Sequence, residues 1–180
     1  LYAKIGVQHC TDCGQALSPL SREQIVERIR DELGGETVTL LAPAVRGRKG
    51  IYRELFQAAR KLGFRHARID GKMVALSPTP TLARYREHDI DIVIGQVELK
   101  RAGDGRLAEG VATALRLGGG AVIARAGQAE HIFSERLYCT SCGVGYEALD
   151  PRLFSFNSRQ GACPGCEGIG SVATFDPETL

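Results

Sequence analysis

Apolar residues recur at Ile25, Ile29 and Leu33, the four-residue spacing that places them along one face of a helix. Ser21-Arg-Glu-Gln24, just ahead, has the pattern of a capping box, in which the serine hydroxyl and the glutamine amide each satisfy a backbone N–H. Gly34-Gly35 stops the run, and the period then changes. "TVTLLAP", Thr37 to Pro43, is almost continuously apolar and predicts a buried strand. The glycine-containing, basic "VRGRKG" reads as a loop leading into a helix from about Ile51 to Leu62, stopped by Gly63. "FRHARID" and "MVALS" flank Asp70-Gly71-Lys72, which predicts a β-hairpin turn. Pro78 and Pro80 mark a loop, and "DIDIVIGQVELK", Asp89 to Lys100, predicts another strand, bent at Gly95. Arg106 to Leu117 is helical, Gly118 to Gly120 is a helix stop, and "AVIARA" is expected as the last strand. The alternation predicts an α/β fold, a mixed sheet with packed helices.

Cysteine changes the picture. All six cysteines fall in three C-x-x-C pairs, Cys10/Cys13, Cys139/Cys142 and Cys163/Cys166. Disulfide frameworks rarely use this spacing throughout, and no pair follows the strand-to-helix junction of a redox motif, so metal is the expected chemistry. A structural zinc takes four ligands, so each pair needs a partner pair. Cys10-Thr-Asp-Cys-Gly14 and Cys139-Thr-Ser-Cys-Gly143 resemble each other and bracket the α/β segment. One zinc could therefore clip the ends of that segment together, since the termini of a compact domain often lie close. The competing closure is local: Cys142 and Cys163 are separated by 20 residues, which suits a site built from Cys139, Cys142, Cys163 and Cys166. Either closure leaves one pair over. The expected organisation is a first knuckle and incoming strand over 1–15, an α/β partner-interaction domain over 16–136, and a knuckle region opening a further domain over 137–180. The fold is thus α/β with a small zinc-knuckle region at its base.

Composition bounds the rest. A net charge of +2 gives no global basic field, so any basic surface must be local. The apolar runs are far shorter than the roughly 20 residues of a membrane span. "LYAKIGVQHC" lacks the layout of a signal peptide and does not start with Met, so the chain reads as a cytoplasmic piece of something longer. No G-x-x-x-x-G-K-[ST] phosphate loop and no hydrolase constellation occur, so no catalysis is expected of this chain itself. Arg46, Arg48, Lys49, Arg53, Arg65 and Arg68 gather around one loop, the next helix and the next strand, and form the candidate partner surface. Few aromatics interleave with them, which favours a protein partner over single-stranded DNA; duplex phosphates need only charge. His9 sits beside Cys10 but is expected at the surface, as adjacent residues seldom reach one metal; His66 is expected on a solvated face.

"DPRLFSFNSRQGACPGCEGIG" resembles the first half of the UvrA family, damage-recognition ATPases of bacterial nucleotide excision repair. "LYAKIGVQHC" is similar to that family's approach to its first zinc knuckle, and "LLAPAVRGRKG" and "ARIDGKMVALS" to its UvrB-interaction domain. The resemblance covers essentially the whole chain. It implies an α/β module that docks UvrB, with zinc as its metal. ATP, magnesium, damaged duplex DNA and homodimerisation belong to the full-length protein, a cytoplasmic protein of the SOS response. It also implies a later knuckle, beyond Leu180, as partner for Cys163 and Cys166, and so favours the clip of Cys10, Cys13, Cys139 and Cys142. One departure stands out: where the family commonly carries Asp-Arg after a β-branched run, this sequence has Gly95 and Gln96. An arginine there would suit an ion pair with an acidic partner. A divergent relative with another partner is the alternative the departure raises.

Overall fold

The capping box forms as expected: Ser21 accepts from the Gln24 backbone N–H while the Gln24 side chain returns to the Ser21 N–H, starting helix α1 (Arg22–Leu33). The computed structural model describes residues 5–99, 104–139, 141–142, 144–146 and 149–172. They divide into two compact units, one of Gln8–Ala148 and one of Leu1–Val7 with Leu149–Leu180.

In the larger unit α1 is followed by β1 (Thr37–Lys49), α2 (Arg53–Lys61), β2 (His66–Ile69), β3 (Lys72–Ala75), β4 (Glu87–Glu98), α3 (Asp104–Leu117), β5 (Ala121–Ala126) and β6 (Ala129–Ser134). A small hairpin, β7 (Tyr138–Cys139) with β8 (Val144–Gly145), closes the unit. The six larger strands form one sheet in the order β3-β2-β4-β1-β5-β6. The α/β class holds, but every pairing is antiparallel where a mixed sheet is expected. The reason lies in the crossovers. The helical connections β1-α2-β2 and β4-α3-β5 each skip one strand, so the two crossovers interleave as a split β-α-β plait and parallel strands never become neighbours.

Two further readings are corrected. "VRGRKG" is not a loop; it is the far end of β1, with Arg48 opposite His88 and Lys49 opposite Glu87. The strand accommodates its glycine as a bulge: Gly47 takes φ 52 and its N–H goes to the Asp89 carboxylate at 2.7 Å. "AVIARA" is not the last strand, because "AEHIFS" pairs with it as β6 through a two-residue turn. The Asp70-Gly71 turn is as predicted, both residues having positive φ (50 and 82), the primed turn that matches strand twist. The bend expected at Gly95 is a bulge, where Leu40 and Leu41 face Gly95 and Val93.

One face of the sheet carries the core. Val38, Leu40, Ala42, Ile90, Ile92, Val122 and Phe133 meet Ile25 and Ile29 of α1, Phe56 of α2, and Leu107 and Val111 of α3, all buried. The other face holds Arg68, Asp91, Leu41, Ile123 and Glu130 by the register of the pairs. Arg68 on β2 nevertheless forms a two-pronged ion pair with Glu130 on β6, four strands away. In a flat sheet those strands would be about 19 Å apart at the usual ~4.8 Å spacing, far beyond one arginine. The sheet is therefore strongly curled, with this face concave, and Leu41 and Ile123 are buried there.

The smaller unit is loop-rich. Asp150 caps a single turn of 3-10 helix, Pro151–Phe154, by accepting from the Arg152 N–H at 3.0 Å. Phe154, Phe156, Ile169 and Val172 are exposed.

Candidate metal centre

The site begins in the core. Tyr138 is fully buried, stacked on Phe133 at 6.0 Å between ring centres, with the Arg28 guanidinium 5.0 Å above its ring. That anchor fixes β7 and hence Cys139, which is also fully buried. Ser18 and Tyr138 exchange both backbone hydrogen bonds at 2.9 Å, pinning the incoming chain to β7. The first knuckle folds back on itself just upstream: Cys10 N–H donates to Gln15 O at 2.8 Å and Gly14 N–H to Cys10 O at 3.0 Å. On the other side, β8 lies so close to β6 that a Cβ on Gly145 would sit 2.1 Å from Ile132 O, which only glycine permits.

The result is a cluster of Cys10, Cys13, Cys139 and Cys142 whose sulfurs all lie within 4.8 Å of one another. Cys13 and Cys139 sulfurs are 3.5 Å apart. Four thiolates around a tetrahedral zinc, at Zn–S of about 2.3 Å, stand about 3.8 Å apart, so this donor set fits zinc. The four sulfurs brought together are those of the two matching knuckles, and Cys163 and Cys166 are not among them. Those two sit in the smaller unit, where Cys166 Sγ accepts from the Gly170 N–H at 3.3 Å and its thiol is held below the ordinary range chiefly by that bond.

Electrostatics say what the cluster needs. Cys10 is drawn down to about 6, first by the Tyr146 hydroxyl and then by backbone N–H groups. Cys142 is pushed up to about 12, first by Cys13 and then by burial. With Cys10 favoured as the thiolate, the thiols of Cys13 and Cys142 are both shifted upward; a dication would let all four ionise. His9 is not a ligand but closes its own knuckle, its Nδ1 2.8 Å from Gly14 O. Tyr146 was invisible to motif reading: it lies four residues past Cys142, and no spacing rule marks it.

The basic residues do not form one patch. Arg46 and Arg68 both reach Asp91, at 2.5 and 2.7 Å, and Arg68 goes on to Glu130. Asp91 is only 4% exposed and anchors a partly buried network on the concave face, whose outer members Arg46 and Glu130 reach solvent. Arg48, Lys49, Arg53 and Arg65 are exposed, the first three following one another from the end of β1 into α2. His66 is exposed on β2, and Gln96 donates to the Thr39 hydroxyl at 3.4 Å.

The family model for the UvrA interaction domain matches residues 21–128. The chain belongs to that family. It is 42% identical over 184 residues to UvrABC system protein A of Thermus thermophilus, 41% over 186 to that of Methanothermobacter thermautotrophicus, and 40% over 181 to that of Bacillus subtilis. Each match covers the whole of this chain and 19% of the relative, so the chain spans about a fifth of the length of these curated relatives. The matched segment runs from the capping box through β5, and the two knuckles that supply the four clustered cysteines fall just outside it on either side. No helix among the described residues is long and apolar enough to cross a membrane.

Proposed function

We propose that this chain is the partner-docking module of a UvrA-type protein of nucleotide excision repair, binding a UvrB-like protein while a zinc ion clips the two ends of its sheet domain. The observation that carries the reading is the interaction-domain match over residues 21–128, which covers nearly all of the six-stranded sheet. ATP hydrolysis with magnesium, contact with damaged duplex DNA and homodimerisation are assigned to the remaining four-fifths of such a protein, and this chain contributes recognition rather than catalysis. Zinc supplies a fixed tetrahedral centre; Cys10, Cys13, Cys139 and Cys142 would hold it.

The docking surface is drawn from Arg46, Arg48, Lys49, Arg53, Arg65 and Arg68. Within it, the exposed run from Arg48 to Arg53 is the part offered to an acidic partner, because a strand end on a rigid sheet presents charge without reorganising. Arg46 and Arg68 support that surface by holding Asp91.

The test is binding of a UvrB protein and of duplex DNA, measured in parallel, to the wild-type chain and to Arg48→Glu/Lys49→Glu. We expect UvrB binding to weaken about tenfold, mainly through the association rate as befits exposed charges. The melting temperature of the variant is measured first, because Lys49 stands opposite Glu87 across the sheet and loss of folding must be separated from loss of binding. Duplex binding that exceeds UvrB binding and falls in the same variant would replace the protein partner with DNA. Absence of UvrB affinity in the wild type would point to Gly95 and Gln96, and to a divergent relative with another partner.

A further inference from the structure

Resting on the zinc reading, we infer that Tyr146 is a positioning residue for the metal centre: its hydroxyl holds Cys10 as a ligand and fastens the first knuckle to the second. The Tyr146 Oη stands 3.3 Å from Cys10 Sγ, 3.3 Å from the Thr11 backbone nitrogen and 3.1 Å from Thr11 Oγ1. Three contacts from one hydroxyl converge on the first knuckle, although Tyr146 belongs to the chain leaving the second. The proton accounting fixes their direction. The Thr11 N–H can only donate, so the phenol oxygen accepts from it. A metal-bound thiolate carries no proton, so Cys10 can only accept, and the phenol proton goes to sulfur. The Thr11 hydroxyl, which has Asp12 Oδ1 as a second acceptor at 3.4 Å, can then turn its proton to the nearer phenol oxygen.

The tyrosine is held for this task. Its backbone N–H donates to Leu137 O at 2.8 Å, and it follows Gly145, whose lack of a side chain lets β8 lie against Ile132. The ring is half-buried, so the hydroxyl is delivered from a fixed base. A second knuckle-to-knuckle bond, Ser141 Oγ to Gln15 Oε1 at 2.5 Å, touches no sulfur, whereas Tyr146 reaches across the knuckles to a ligand atom. Hydrogen bonds to ligand atoms orient them and stabilise their charge, and their loss typically lowers metal affinity about 10–100-fold.

The experiment uses the chain with Cys163→Ser/Cys166→Ser, so that a single site reports, loaded with zinc or with cobalt. Tyr146→Phe deletes one oxygen and keeps the ring; Tyr146→Leu also removes the ring. In competition with a chromophoric chelator, Tyr146→Phe should bind zinc about 10–100-fold more weakly than its parent. With cobalt, its thiolate-to-metal charge-transfer band should shift, because one sulfur has lost a donor. A purely structural ring would move neither readout in the Phe variant and would lower affinity only in the Leu variant; that outcome overturns the proposal while leaving the zinc reading intact. A parent chain that takes up no metal overturns both.

Discussion

The cysteine cluster and the charge network on the concave face do the same topological job with opposite chemistry. Each joins segments far apart in sequence: Cys10 and Cys13 with Cys139 and Cys142, and Arg46, Arg68 and Asp91 with Glu130. The network is electrically complete in itself, two guanidiniums against two carboxylates. The cluster is four groups of one kind, and ionising one makes it harder to ionise the next. A closed network should be indifferent to chelators and sensitive to loss of any member. The cluster should be strong only with a cation inside. The difference teaches that burial and proximity are not stabilising by themselves; what matters is whether the charges sum to nothing.

The largest effect should come from the cluster. Cys10→Ser/Cys13→Ser should abolish zinc uptake by the Gln8–Ala148 unit and lower its stability by at least several kcal/mol, because the free energy of a structural metal is folding free energy. Cys163→Ser/Cys166→Ser, the same change at the same spacing, should leave the melting of that unit within about 0.5 kcal/mol, as for surface substitutions generally. Zinc stoichiometry and thermal melting with and without chelator decide it. A first-pair variant that keeps a full equivalent of zinc in the larger unit breaks the comparison outright.

Next comes the network. Asp91→Ala leaves Arg46 and Arg68 facing each other across a site where the lost carboxylate was 5% exposed. Removing one partner of a buried pair costs about 3–5 kcal/mol; Arg46 is 34% exposed and can turn to water, so about 2–3 kcal/mol is expected. The loss should be the same in chelator, which separates it from the cluster. A denaturation midpoint unmoved by Asp91→Ala would mean the concave face is held by Leu41 and Ile123 alone.

How much of this could be read from the chain follows from the range of each interaction. The capping box at Ser21, the Asp70-Gly71 turn and the helix stop at Gly118 were legible because the partners lie within a few residues of each other. The matching knuckles were legible because the two motifs are alike, yet nothing in their spacing shows the Ser18–Tyr138 pairing that brings them together. β6 escaped because its concave side carries Glu130, which looks like solvent exposure in sequence and is instead the far anchor of Arg68. "VRGRKG" looked like a loop for a similar reason: its glycine signals a turn, but two bulges let β1 pass through it without leaving the sheet. Arg46 and Arg68 looked like free surface charge because Asp91 is 45 and 23 residues away.

The smallest expected effect sharpens the comparison through acid. Asp70, at the tip of the β2–β3 hairpin, accepts from the Asp89 N–H at 3.0 Å and lies 2.9 Å from Nδ1 of the buried His88, whose Nε2 faces Ala83 O at 3.1 Å. Both ring nitrogens thus have an oxygen within hydrogen-bond reach. Burial by itself would raise the Asp70 carboxyl; the Asp89 N–H and His88 outweigh it and hold the group below its ordinary range. A carboxyl depressed on folding contributes stability above its unfolded value of about 3.9, and that contribution is lost as pH falls through the lower folded value. Asp70→Asn removes it. The stability difference between wild type and Asp70→Asn should therefore be flat, at about 1 kcal/mol, above roughly pH 5 and should shrink toward zero in stronger acid. Both proteins carry the same cysteine cluster, so release of metal by protons cancels in the difference. A difference that instead grew as pH fell would mean that Asp70 is stabilised as the neutral acid, and that the hairpin tip is not a charged contact of the same kind as Asp91.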